Sequence, residues 1–562
     1  MSVHESTGAA PELAIRGGTV VDGTGGAPYR ADVGIAAGRI TAIGPTVRAP
    51  RELDASGALV CPGFLDLHTH YDPQVLWDPW LTPTSWQGVT GVVAGNCGLS
   101  MAPCPPDMRG SLLRILEHVE DMPLPALEAG VDWTFTSYPE YLGRVRRAVG
   151  INFGGYVGHN AVRLHAMGEA AHDRAATPDE IDRMRTLVAD ALRAGALGFS
   201  TDRSGFHIGD RGRPVPSMNA TQDEVEALMA VTAEVGRGIC HVAPGEDFAW
   251  LYDFQPRLGR PITWSALLTY PEGSPRAPWS DKLAVHRAGR EAGADVRPQV
   301  TCRPIVQRFS LADPSSFYSV PVWGELAALD TAGRVARYRD PAWRERAFRD
   351  LDSRTWVNPR WADIEIAEST AHTALIGRRV ADLAAERGTD PLAVMIGLAL
   401  DDDLRTRFGI TFANDDEAAL RTLLTAEGCV LGLSDAGAHT GQICDAQMPV
   451  DYLAHWVRDR GLTDVATGIH RLTGEPAALL GLADRGRIAA AAAADIAVLD
   501  WDALRAMPPR RAADAPAGGE RLVADPPPGL VHVLVNGTPI RLDGADATAG
   551  LTALPGRLLA PA

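Results

Sequence analysis

The sequence predicts an α/β protein, a (β/α)8 TIM barrel carrying a small β-sandwich domain built from both chain termini. Three observations predict it. Between roughly residues 175 and 435 a unit of capped helix, glycine and short apolar strand recurs, the pattern of a parallel sheet covered by helices. The chemically reactive side chains fall at, or just past, the ends of those strands, where a barrel builds its active site. Both chain ends read instead as alternating half-buried strands.

Each repeat has its own signals. "TPDEIDRMRTLVADALRAGALGFSTD" opens with Thr177, Pro178 and Glu180, a capping box with proline at the first helical position. Ile181, Met184, Leu187, Val188, Ala191 and Leu192 form a helical stripe, Gly195 stops it, and "ALGFS" reads as a buried strand. "TQDEVEALMAVTAEVGRGICHV" repeats the scheme with Thr221 and Glu224 as the box. "DKLAVHRAGREAGADVRPQV" and "DEAALRTLLTAEGCVLGLSD" repeat it again. This assigns residues 62–481 to the barrel. Residues 304–360, with three tryptophans and no clean repeat, read as an insertion after the seventh strand, either a lid over the barrel mouth or a packing excursion outside it.

At the N-terminus "LAIRGGTVVDG" and "DVGIAAGRITAIG" alternate, with Gly38 placed for a hairpin. "ADIAVLDWD" and "LVHVLVNGTPIRLDG" alternate near the other end, with Asn536-Gly537 as a turn. Residues 11–61 and 482–555 are therefore read as one composite β-sandwich. Residues 503–528, rich in Pro, Ala and Arg, read as a loop. The alanine run 489–494 favours helix by propensity and a connection by position.

Composition excludes some functions. Apolar content of 46%, charged content of 22% and net charge −17 fit a globular protein and argue against nucleic-acid binding. "MSVHESTGAAPEL" has no basic or apolar leader character, and no run of 18 apolar residues occurs. A cytoplasmic protein without a membrane span is expected. Seven scattered cysteines without CxxC pairs argue against a disulfide framework and leave room for a metal ligand.

The chemistry begins at "FLDLHTHYD". On an extended segment His68 and His70 share a face, so both imidazoles reach one point. Cys97 in "GNCG", His241 in "ICHVAPGED" and Asp435 in "LGLSDAGAH" add a thiol, an imidazole and a carboxylate. That donor set suits Zn²⁺. Such an ion lowers the pKa of a bound water to give an attacking hydroxide and polarises a carbonyl, with Asp435 as general base. His159 is either a donor to the scissile carbonyl or a loop cap. Arg303 is a candidate for holding a substrate carboxylate. Asp202, Arg203 and His439 are further candidates for substrate binding, each weighed against an ordinary ion pair or loop role.

"PGFLDLHTHYD", "GVTGVVAGNCG", "LGFSTD" and "LGLSDAGAH" together resemble the amidohydrolase superfamily, in particular its N-acyl-D-amino-acid deacylase (D-aminoacylase) branch. The resemblance covers nearly the whole chain. It implies His68, His70, Cys97, His241 and Asp435 as metal ligands, Asp435 as general base, and a lid after strand seven. Two departures stand out. The chain's only lysine is Lys282, so a strand-four lysine bridging two metals is absent. The strand-six histidine is also absent, the matching stretch being "RPITWSALLTYPEG". One firmly bound zinc, with a second weak or absent, is expected. The expected activity is hydrolysis of a non-peptide C–N amide bond in a small-molecule N-acyl-amino acid. The alternatives are cyclic amide opening or deamination, or a degenerate barrel that binds a metal or small molecule without catalysis.

Overall fold

The computed structural model describes residues 5–561, apart from 206, 208, 210–212, 272, 273, 275, 315, 316, 319 and 353–359. Eight parallel strands form its centre: β1 (Phe64–Asp66), β2 (Val89–Ala94), β3 (Asn152–Gly158), β4 (Gly198–Asp202), β5 (Ile239–Ala243), β6 (Ile262–Trp264), β7 (Val296–Val300) and β8 (Val430–Leu431). They pair in sequence order. β2 to β5 are buried along their whole length, as parallel strands covered on both faces must be. The barrel closes where Asp435 N donates to His68 O (3.1 Å) and His70 N to Ala436 O (2.8 Å).

The predicted helices form with their predicted caps. Thr177 and Glu180 make a reciprocal capping box at the head of Pro178–Ala194, and Gly195 ends that helix in the left-handed region. At Gln222–Val235 the Thr221 side chain caps Glu224 N. The Glu224 carboxylate does not close the box, because it turns inward to His159 and Arg163.

Both chain ends share one sheet. Leu59–Pro62, leading into β1, pairs antiparallel with Ile496–Leu499 from beyond the barrel, in a sheet completed by strands from both ends. A second sheet comes from the N-terminal segments alone. The turn at Asn536-Gly537 has positive φ at both positions (45° and 77°), the geometry that joins two twisted strands in two residues. The alanine run is a connection: Ala491 and Ala492 exchange backbone hydrogen bonds with Ile40. Residues 503–528 are not simply a loop. Pro509–Ala515 and Gly519–Ala524 form an antiparallel ribbon, which alternation too weak to read in an Ala- and Arg-rich segment had hidden.

The insertion after β7 runs further than residue 360. Ile305–Ser310, Glu365–Glu368 and Arg407–Ala413 make a three-stranded antiparallel sheet, and its helices bury Trp323, Trp343 and Tyr338 in a core separate from the barrel's. Within the expected stretch 304–360, residues 315, 316, 319 and 353–359 lie outside the described residues. Among the described residues no helix is long and apolar enough to cross a membrane.

Candidate metal centre

The site is assembled by the barrel's own closure. After β1 the chain stays extended, so Thr69 turns outward, its hydroxyl donating to Val93 O (2.9 Å), while His68 and His70 turn inward. Their Nε2 atoms lie 3.3 Å apart. The closing contacts bring Asp435 beside them. Its Oδ1 is 3.1 Å from His68 Nε2 and 3.3 Å from His70 Nε2. Cys97 arrives on the turn after β2. That turn passes so close to β3 that a Cβ on Gly95 would lie 2.2 Å from Tyr156 O, which admits only glycine. Cys97 Sγ is 3.5 Å from His68 Nε2, and the ligand atoms of His68, His70 and Cys97 all lie within 4.8 Å of one another.

This donor set fits a zinc-type cation. His68 Nδ1 bonds Gln299 Oε1 at 2.6 Å. With an oxygen accepting there, Nδ1 carries the proton and Nε2 offers its lone pair to the cluster. Burial pushes His70 down to about 4, so its ring is neutral at physiological pH. Its Nδ1 has no hydrogen-bond partner among the described residues and faces the buried Glu120 carboxylate at 3.4 Å. Burial, with the Asp435 charge nearby, pushes Glu120 up to about 8. Two imidazole nitrogens, a thiol and a carboxylate thus crowd one point, an arrangement that suits a cation.

A cavity of about 340 Å³ opens from the cluster. His68, Cys97, Asp435 and His439 line it at one side, and Leu268, Tyr270, Ile305 and Phe412 form apolar wall. Ile305 and Phe412 belong to the insertion's sheet. Lys282, side chain buried, also reaches the cavity, paired to Glu246 at 3.0 Å. Arg276 stacks over Tyr270 at 4.6 Å.

The family profile described as "Amidohydrolase family" matches residues 51–541. The chain belongs to the amidohydrolase family. An N-acyl-D-glutamate deacylase of Alcaligenes xylosoxydans xylosoxydans is 32% identical over 543 residues, covering 94% of this chain and 93% of the relative. The solved N-acyl-D-glutamate deacylase of Bordetella bronchiseptica, complexed with zinc and a phosphonate mimic of the tetrahedral intermediate, is 27% identical with a TM-score of 0.65, covering 98% of this chain and all of the other. A solved D-aminoacylase, described by one-metal activation and second-metal attenuation of its binuclear centre, is 26% identical with a TM-score of 0.63, covering 98% and 99%.

Within this amidohydrolase the other expected residues divide. His439 reaches the cavity, its Nε2 3.9 Å from Asp435 Oδ2. His241 stands beside the cluster. Its Nδ1 accepts from Cys97 N–H (3.3 Å), and its Nε2 faces Ser265 Oγ (3.1 Å), which also lies 3.9 Å from Cys97 Sγ. Ser265, directly after β6, thus stands where the strand-six histidine was expected.

Four expectations are corrected. His159 is fully buried and is not brought to the cavity: Nδ1 bonds Thr201 Oγ1 (2.8 Å) and Nε2 bonds Glu224 Oε1 (3.0 Å). A helix starts at His159 itself and turns its ring under the strands. Arg303 is held away by Asp445 (2.7 Å) and Asp451 (3.4 Å). Arg203 donates to Ala220 O (2.6 Å) and does not line the cavity. Asp202 is fully buried and does not line the cavity; its carboxylate holds His207 at 2.8 Å.

Sequence reasoning missed Glu120, Gln299, Ser265 and His207. Glu120 left a signal: it continues the apolar stripe of Leu112, Leu113, Leu116 and Val119 on the helix Arg109–Glu120, and a carboxylate there asks for a partner. His207, in a loop without periodicity, left none.

Proposed function

We propose that this amidohydrolase is a zinc-dependent deacylase of N-acyl-D-amino acids. The observation that carries the reading is the convergence of His68 Nε2, His70 Nε2, Cys97 Sγ and Asp435 Oδ1 beside a cavity sized for a small amide. The relatives named above act on N-acyl-D-glutamate or are D-aminoacylases, which favours linear over cyclic amides.

His68, His70, Cys97 and Asp435 would hold one ion. At a second position beside Cys97 the donors would be poor: Ser265 offers a neutral hydroxyl, and His241, whose Nδ1 lone pair accepts from Cys97 N–H, turns its Nε2–H to that hydroxyl. A bound zinc supplies an acidified water and polarises the substrate carbonyl. Asp435 turns Oδ1 to the imidazoles and leaves Oδ2 on the cavity side, near His439. Oδ2 takes the proton of the attacking water and delivers it to the leaving nitrogen as the C–N bond breaks. The insertion, through Ile305 and Phe412, acts as a wall that shields the amide from bulk water.

The test is a panel of N-acetyl-D-amino acids, their L-enantiomers and a cyclic hydantoin, offered to the zinc-loaded protein. Turnover of the linear D-substrates is expected. Turnover of the hydantoin alone would overturn the reading.

A further inference from the structure

The corrected Asp202 leads to a residue that the mechanism above leaves unused. Asp202 ends β4 with both carboxylate oxygens engaged: Oδ1 accepts from Ser204 N (2.8 Å) and Oδ2 from His207 Nδ1 (2.8 Å). Asp202 is fully buried, whereas the His207 side chain is 25% exposed, and what it faces is the cavity of His68, Cys97 and Asp435. Since Nδ1–H is committed to Asp202, the ring's other nitrogen is the one free to act. Nε2 has no partner among the described residues. A buried carboxylate has fixed the orientation of an imidazole whose unused edge lies in the reaction cavity.

The charge state fits a donor. Burial lowers the affinity of His207 for a proton, but Asp202 and then Glu120 and Asp435 outweigh it and push the ring up to about 9. The Asp202 carboxylate, lifted by burial, is pulled below its ordinary range by the same imidazolium and by Ser204. The two shifts describe one ion pair, in which His207 Nε2 carries hydrogen at neutral pH. Glu120 and Asp435 are close enough to act on it.

We propose that His207, positioned by Asp202, is a further catalytic residue of the deacylase reading above. Its Nε2–H donates a hydrogen bond to the carbonyl oxygen of the scissile amide and strengthens it as that oxygen gains negative charge. No proton needs to be transferred. The water oxygen bonds to the carbonyl carbon, the electron pair of the C=O bond moves onto oxygen, and the donor meets it there. When the C=O bond re-forms, the C–N bond breaks and the nitrogen leaves with the proton from Asp435. The role once open to His159 thus belongs to a ring that faces the cavity.

The test uses full-length zinc-loaded protein and His207→Gln, His207→Phe and Asp202→Asn. Kinetics on an N-acyl-D-amino acid are read beside zinc content and calorimetric affinity for a phosphonate analogue of the tetrahedral intermediate. A positioned oxyanion donor is worth about 10²–10³ in kcat, so kcat falls by that factor in both His207 variants. KM stays within a few-fold, zinc content is unchanged, and phosphonate affinity falls with kcat/KM. Asp202→Asn shows the same split between kcat and KM with a smaller loss. A merely structural role would lower zinc content or stability and leave phosphonate affinity intact in the protein that still folds. His207→Gln retaining kcat within threefold and full phosphonate affinity would overturn the inference while leaving the deacylase reading in place. A wild-type protein that turned over no N-acyl-amino acid would overturn both.

Discussion

Asp435 Oδ1 lies 3.1 Å from His68 Nε2 although the two residues come from the last and first strands of the barrel. The hydrogen bond that closes the barrel, Asp435 N to His68 O, makes them neighbours. Closing the sheet and assembling the site are therefore one event, and a barrel that failed to close would not bring these donors together.

Asp435→Asn removes the proton acceptor while keeping a similar shape. At saturating zinc, turnover is expected to fall by about 10²–10⁴, and zinc affinity by chelator competition is expected to weaken as well, because a carboxamide replaces one of the four proposed donors. A near-native rate would show that another group carries the proton.

Gln299→Leu removes the acceptor that fixes the proton on His68 Nδ1. Loss of such a partner costs about 10- to 100-fold in metal affinity, readable by competition with a chelator. Unchanged affinity would mean that His68 needs no help to present Nε2.

Ser265→His restores an imidazole at the position whose hydroxyl now lies 3.1 Å from His241 Nε2. Bound zinc per chain is expected to rise from about one toward two. A value that stays at one would show that more than the missing histidine keeps the second position weak.

Phe412→Ala opens the apolar wall that the insertion contributes. It touches none of the proposed ligands, so KM is expected to rise by about tenfold, the effect of one large apolar contact, with kcat little changed. A fall in kcat alone would place Phe412 in the chemistry.

The insertion has a titratable anchor. Asp402 is buried; burial alone would raise its pKa, but hydrogen bonds from Thr370, Thr406 and Ser369 outweigh it and hold it well below the usual carboxylate range. A carboxyl depressed on folding stabilises the protein above its ordinary pKa, and that stabilisation is lost as pH falls below it. Asp402→Ala also strands several donors, at a cost of about 2–3 kcal/mol. Acid unfolding followed by circular dichroism should begin at higher pH in the variant. Coincident acid transitions would show that Asp402 does not anchor the insertion.

Much of this was legible in the sequence because period and punctuation carry it. His68 and His70 show as a pair because alternate residues of an extended segment share a face. Cys97 shows because glycines flank it, and Asp435 because a strand ends just before it. The phase argument failed at His159 because a helix begins on that residue and turns its ring into the packing. It failed at Arg303 because Asp445 and Asp451, far along the chain, hold the guanidinium. Glu224 reads as half of a capping box, yet a buried arginine and histidine claim its carboxylate more strongly than an exposed helix end. His207 could not be read, since only the folded loop brings it to Asp202.

The most direct measurement is a crystal structure of the zinc-loaded protein with anomalous data on both sides of the zinc edge. The account predicts a strong peak bounded by His68 Nε2, His70 Nε2, Cys97 Sγ and the Asp435 carboxylate, with little or none between His241 and Ser265. An ion bound elsewhere, with those four donors empty, would contradict it.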